Sequence, residues 1–264
     1  MSTVKALAPS EWLRVYSPRP AAHARLICFP HAGGSATAFR DVAQSAPEAL
    51  EVTAVQYPGR QDRFGEPVPA SLDELADRIT EVVAGGLDRP TALFGHSMGA
   101  TVAFEVARRL RATHPGAPVR LFASARRAPH APVSAAVTFA TDEDALAYVR
   151  SLGGQGSTML DDPDLRAMAV HILRADFRML ADYRCAADAP LTCPVTVVCG
   201  ADDAACTPRE AREWARHTVG GLSVETLPGG HFYLETAAEE LTALLTRYLT
   251  ADLPGLAAGA QRPE

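Results

Sequence analysis

Five residues carry the strongest chemical signal in the chain: Gly95-His96-Ser97-Met98-Gly99, a serine between two glycines. An apolar run, Ala92-Leu93-Phe94, leads into it, and a helical pattern from Ala100 to Ala107 leads out. Strand, sharp turn and helix are what a strained turn needs if it is to present a nucleophilic hydroxyl at a helix N-terminus. A hydroxyl is a weak nucleophile and needs a base. His231 supplies one, in Leu227-Pro228-Gly229-Gly230-His231, just past the last strand-like run. His23, His114, His130, His171 and His217 lie before the serine, in the long insertion described below or on a helix, where surface and packing roles are expected.

The imidazole in turn needs a carboxylate to fix its tautomer and stabilise the imidazolium. Two neighbours compete after Val198-Cys199-Gly200-Ala201: Asp202 and Asp203. The usual placement, three residues past the glycine, selects Asp203 and leaves Asp202 as a turn residue bonded to its own backbone. Charge developing on a substrate carbonyl needs two backbone donors. The N–H of Met98, the residue after the nucleophile, is one. Phe29-Pro30-His31-Ala32-Gly33-Gly34-Ser35 is an early glycine-rich loop, and Ala32 is expected to give the second.

These residues need a scaffold that brings strand ends together. Short apolar runs end at Gly or Pro or nearby: Leu26–Phe29, Val52–Tyr57, Ala92–Phe94, Val119–Ala123, Val195–Cys199 and Leu222–Leu227. Separated by helical patterns, they predict βαβ units around a buried, mostly parallel sheet. Ser71-x-x-Glu74, Thr207-Pro208-x-Glu210 and Thr236-x-x-Glu239 have the capping-box form and predict three helix starts. About seventy residues separate Ala123 from Val195, whereas a crossover needs a dozen or more. Helical stretches at Asp142–Leu152 and Pro163–Tyr183 lie in that excess, which reads as a lid with Gly153-Gly154-Gln155-Gly156-Ser157 as its hinge. The expected organisation is one domain over residues 1–264: core at about 12–130 and 191–252, lid at about 131–190 and a frayed tail over 253–264.

The 264 residues are 47% hydrophobic and 21% charged, with a net charge of −6. One domain of that size buries a core without metals or disulfides. No basic block marks a nucleic-acid footprint. No run has signal-peptide or membrane-span length, so a cytoplasmic protein without membrane association is expected. The five cysteines are odd in number and match no zinc spacing, so buried thiols are expected rather than disulfides or metal ligands.

Together these segments resemble one family, the stand-alone (type II) thioesterases of polyketide and peptide assembly lines, members of the α/β-hydrolase superfamily. Phe29-Pro30-His31-Ala32-Gly33-Gly34 resembles their F-P-x-A-G-G loop, and Gln56-Tyr57-Pro58-Gly59-Arg60-Gln61-Asp62-Arg63 their Q-[YL]-P-G-R-x-x-R segment. Gly95–Gly99 is similar to their elbow, Arg174-Ala175-Asp176-Phe177 with Tyr183 to their lid signature, and Pro228–Phe232 to their histidine motif. The matches span roughly residues 24 to 250, with a departure at Ala204, where the family often has proline.

The resemblance implies an α/β-hydrolase fold with helices on both faces of the sheet, and hydrolysis of acyl groups from the phosphopantetheine arm of acyl or peptidyl carrier proteins. It implies no metal or other cofactor. His31, His96 and Phe232, beside the catalytic positions, are expected to contact substrate. Arg60, Arg63, Arg126 and Arg127 follow strand ends and are the expected docking surface for an acidic carrier, with solvated arginines or ion pairs as the alternative. The chain is expected to act as a monomer. A carboxylesterase or lipase acting on free oxyesters is the competing activity, and a silent binding protein on the same scaffold a further one.

Overall fold

The computed structural model describes residues 11–131, 139, 141–154 and 163–258. Seven strands form one sheet in the order β1-β3-β2-β4-β5-β6-β7. They are β1 (Leu13–Val15), β2 (Ala24–Phe29), β3 (Leu50–Val55), β4 (Thr91–His96), β5 (Leu121–Ser124), β6 (Val195–Gly200) and β7 (Leu222–Leu227). All neighbours run parallel except β1, which pairs antiparallel with β3. Every residue of β2 to β6 is buried. That is why these strands are mostly apolar rather than alternating, and why the charges they do bury are paired, Arg25 of β2 with Glu51 of β3 at 2.9 Å.

Alternate residues feed two cores. Ile27, Phe29, Leu93, Leu121, Val195 and Val197 pack with helices α2 (Leu72–Ala84) and α3 (Met98–Thr113). Leu26, Cys28, Val52, Ala54, Phe94 and Val198 pack on the opposite face, against α1 (Arg40–Ser45) and α7 (Ala238–Asp252). The connection from β5 to β6 carries α4 (Asp142–Ser151) and α5 (Pro163–Asp182), and α6 (Pro208–Ala211) follows β6. Val170, Leu173, Phe177, Leu180 and Tyr183 join the first core, so the inserted helices are packed onto the body. Gln155, Gly156 and Ser157 of the expected hinge, and residues 259–264 of the expected tail, lie outside the described residues. Gly153 and Gly154 have positive φ, and a Cβ on Gly154 would lie 2.7 Å from the Phe232 ring.

Two of the three expected caps form. Ser71 Oγ accepts from Glu74 N–H, and Thr207 with Glu210 makes the full reciprocal box. Thr236 does not cap: it closes a 3₁₀ turn over Tyr233–Glu235 and donates its hydroxyl to the Tyr233 carbonyl, and α7 starts after Ala237. A box absent from the sequence reading, Thr141 with Asp144, starts α4. All five cysteines are free thiols, and the Cys199 and Cys206 sulfurs lie 3.9 Å apart.

Candidate active site

Strand β4 delivers Ser97 to a strained backbone position, φ 54° and ψ −117°. Such a conformation persists only where its surroundings enforce it. Here the neighbouring chains do so. A Cβ on Gly95 would lie 2.2 Å from the Gly99 carbonyl oxygen, and one on Gly99 would lie 2.0 Å from that of Phe29. Neither position admits a side chain, which is the physical content of the G-x-S-x-G spacing. Ser97 N–H donates to the Ser124 carbonyl (2.8 Å), tying the turn to β5.

The loops after β6 and β7 bring the other two groups to the serine. His231 Nε2 lies 3.0 Å from Ser97 Oγ, and His231 Nδ1 lies 2.9 Å from Asp203 Oδ2. Asp203 is buried, and its other oxygen accepts from Ala205 N–H (2.8 Å). Asp202 is exposed, and its backbone N–H donates to the Gly229 carbonyl (2.9 Å). The two loops touch directly, since a Cβ on Gly200 would lie 2.2 Å from the Gly230 oxygen. Met98 begins α3, so its N–H has no carbonyl one helical turn back to bond. Ala32 borders the same cleft as Ser97, and its N–H donates to no described residue.

His31 and Phe232 line the cleft with their rings 5.0 Å apart. The His31 pKa is held down to about 4, chiefly by burial and then by the charges of His231 and Arg60. His96, expected at the substrate, is fully buried behind these rings and does not line the cleft. Its Nδ1 pairs with Ser124 Oγ (2.8 Å), which is 2.6 Å from the Tyr233 hydroxyl. Burial lowers the His96 pKa well below the ordinary imidazole value, so it packs as a neutral ring under His231, 5.3 Å between centroids.

The four arginines expected to face a carrier split apart. Arg60 is only 2% exposed and pairs with Asp176 of α5, which is completely buried. Arg63 is buried too, with its guanidinium on Glu66 and 4.2 Å from the Trp12 ring centroid. Both are therefore internal struts rather than parts of an exposed basic patch. Arg127 is half-buried and pairs with Glu210 at 3.3 Å. Arg126 lines the cleft, and among the described residues it has no carboxylate partner: its Nε donates to Thr101 Oγ1 (3.1 Å).

The cleft encloses about 560 Å³. Ser97 and His231 line it together with apolar side chains of α4 and α5: Tyr148, Val149, Met168, Ile172, Phe177 and Leu180. Phe64 also borders it and is 50% exposed, a residue that no sequence signal singled out. Among the described residues no cluster of His, Cys, Asp and Glu is placed to hold a metal ion, and no helix is long and apolar enough to cross a membrane.

A mostly parallel sheet clad by helices on both faces, with serine, histidine and aspartate meeting at its strand ends, defines a hydrolase of the α/β-hydrolase fold. A family model for the thioesterase domain matches residues 24–250, and the chain belongs to that family. It is 41% identical over 251 residues to a probable cadicidin biosynthesis thioesterase of Streptomyces griseus, covering 95% of this chain and 68% of that one. Thioesterase PikA5 of Streptomyces venezuelae is 38% identical over 231 residues, covering 87% and 82%. The solved type II thioesterase BorB, from the borrelidin biosynthetic cluster, superposes with a TM-score of 0.82 at 41% identity, covering 90% of this chain and 97% of that one.

Proposed function

We propose that the chain removes acyl groups from the phosphopantetheine arm of acyl or peptidyl carrier proteins, with Ser97, His231 and Asp203 as its triad. The observation that carries this reading is the cleft: an apolar channel of about 560 Å³ that reaches the Ser97 hydroxyl and has room for an acyl chain. Solved relatives that are type II thioesterases, one of them from an NRPS/PKS biosynthetic pathway, support it.

In the proposed cycle His231 Nε2 takes the Ser97 Oγ proton as the oxygen attacks the thioester carbonyl. Asp203 stabilises the imidazolium through Nδ1–H. The tetrahedral oxyanion lies between the N–H groups of Ala32 and Met98. The intermediate collapses, the C–S bond breaks, and the imidazolium protonates the departing pantetheine thiolate. Water then attacks the acyl-serine with His231 as base, releasing the acid and restoring Ser97. Arg126, which lines the channel, is a charged donor for an oxygen of the acyl chain or of the arm. Helices α4 and α5 act as the lid of a single domain. The five free thiols suit a reducing compartment, the cytoplasm.

A panel offering one acyl group on a carrier protein, on coenzyme A, on a small thiol and as a p-nitrophenyl ester tests the reading. The carrier thioester is expected to have the highest kcat/KM, by about tenfold or more, a difference of roughly 1.4 kcal/mol in the barrier. Preference for the free oxyester would instead assign a carboxylesterase.

A further inference from the structure

We infer that Asp176 is a positioning residue for the oxyanion loop, so that the seating of α5 and the readiness of the Ala32 N–H are one event. The inference rests on the catalytic reading above and adds a residue to it. The Asp176 carboxylate is fully buried and holds two partners, one in the loop after β2 and one in the loop after β3. Its Oδ2 accepts from the Gly33 N–H at 2.7 Å, and both of its oxygens accept from the Arg60 guanidinium. Arg60 is fixed in turn by donating to the Pro58 carbonyl (2.6 Å).

The geometry of the loop explains why this matters. The Gly33 N–H belongs to the Ala32–Gly33 peptide. One peptide earlier in the chain lies His31–Ala32, which carries the Ala32 N–H. One earlier still is Pro30–His31, whose carbonyl accepts from the buried Tyr57 hydroxyl at 3.2 Å. The donor peptide leaves its N–H unbonded among the described residues while its own carbonyl accepts from the Gly34 N–H (3.0 Å), and both of its neighbours are clamped, one by Tyr57 of the core and one by Asp176 of the inserted helix. Peptide planes are rigid, so fixing the flanking planes leaves the middle one little freedom. A second contact on the same residue has the same sense. Gly33 sits at φ +76°, and a Cβ there would lie 2.6 Å from Leu173 Cδ2, so α5 packs directly on the loop that it hydrogen-bonds. A buried ion pair is weak evidence of stabilisation, because desolvating both charges offsets the attraction. Orienting the Gly33 peptide gives this one a role that does not depend on net stability.

The test uses the full chain, p-nitrophenyl acetate and an acyl-carrier thioester. The double variant Arg60→Met with Asp176→Leu removes both charges together and leaves no buried ion unpaired. Once thermal unfolding shows it folded, its kcat is expected to fall about 10- to 100-fold on both substrates, with KM within about twofold, as befits a misplaced oxyanion donor. Asp176→Asn keeps the side-chain volume and one acceptor oxygen, and is expected to lose about 5- to 10-fold in kcat with the same split. It decides alone if the double variant does not fold. A folded variant with wild-type kcat, or with KM raised and kcat unchanged, overturns the inference. Wild-type hydrolysis of the ester without hydrolysis of the carrier thioester would sink the carrier reading and leave this one standing. A wild-type chain inert to the ester and to a fluorophosphonate would remove the serine chemistry and this inference with it.

Discussion

The loops bearing Ser97, Asp203 and His231 are held by backbone against backbone, whereas the helices that wall the cleft are held by side chains. Gly95 against Gly99, Gly99 against Phe29 and Gly200 against Gly230 leave no room for a single added carbon. Helix α5 is fastened differently: by Asp176 to Arg60 and Gly33, by Leu173 on Gly33, and by the Tyr183 hydroxyl donating to Glu105 of α3 (2.7 Å). Side-chain fastenings can be exchanged one residue at a time. Backbone contacts can be changed only by moving the chain. The proposed triad therefore lies on the part that cannot be adjusted, and on this reading selection of the acyl group would fall to the part that can.

The largest expected effect belongs to the fixed region. Ser97→Ala and His231→Ala should each lower hydrolysis by about 10⁴-fold or more with the fold intact. Near wild-type turnover in either would place the chemistry elsewhere. Asp203→Asn should cost about 10⁴-fold through the wrong imidazole tautomer. The exposed neighbour sharpens the contrast: Asp202→Asn should stay within about twofold, and equal losses in the two would dissolve the distinction between them.

Gly99→Ala tests the backbone contact itself. Its Cβ would fall on the Phe29 carbonyl, so stability should drop by roughly 4 kcal/mol, or about 8–16 °C in melting temperature. An unshifted melting curve would show that this region gives way more easily than its packing implies. Met168→Trp makes the matching test on α5, at a cleft residue that is 42% exposed. It should change the ratio of short- to long-chain hydrolysis about 3- to 10-fold, with stability within about 0.5 kcal/mol.

The smallest effect is a dependence on pH. His31 titrates near 4 in the folded chain, against an ordinary value of 6.5. Between those values the unfolded chain binds the additional proton, so stability rises with pH across the window and is lost as pH falls from about 6.5 toward 4. Urea unfolding at pH 7 and pH 5 should show a smaller difference for His31→Gln than for wild type. Equal differences would mean that the ring is not held neutral.

Local patterns carried most of what the sequence revealed. Strands buried on both faces appear as mostly apolar runs, and each of the three positions follows a strand-like run, so the glycine-flanked serine, the aspartate after Gly200 and the histidine after Gly230 were visible one at a time, even though β7 before the histidine is only partly buried. Strand β1 was not, because three residues, Leu13-Arg14-Val15, at an antiparallel edge make no run. The capping pattern misled at Thr236 for a conformational reason. A capping residue needs extended backbone, which Thr141 has at ψ 165°, whereas Thr236 leaves a 3₁₀ turn at ψ −19°. Arg60 meets the ion-pair alternative rather than the docking surface, because a charge suggests surface unless its partner is in view. The partner of Arg60 lies 116 residues along the chain, on a helix whose seating no local pattern encodes.

Were α5 to move as a rigid rod, the Tyr183–Glu105 contact would place its fulcrum at the C-terminal end. The helix has 20 residues and so is about 30 Å long. A swing of roughly 10° about Tyr183 would carry the far end by about 5 Å, enough to widen an entrance by the thickness of an alkyl chain. Asp176 lies seven residues from the fulcrum, about 10 Å along the axis, and the same swing would displace it by only about 2 Å. That is still enough to break a 2.7 Å hydrogen bond to Gly33. Leverage of this kind would pair a wide opening at one end with a sensitive latch near the other, from a single rigid rod.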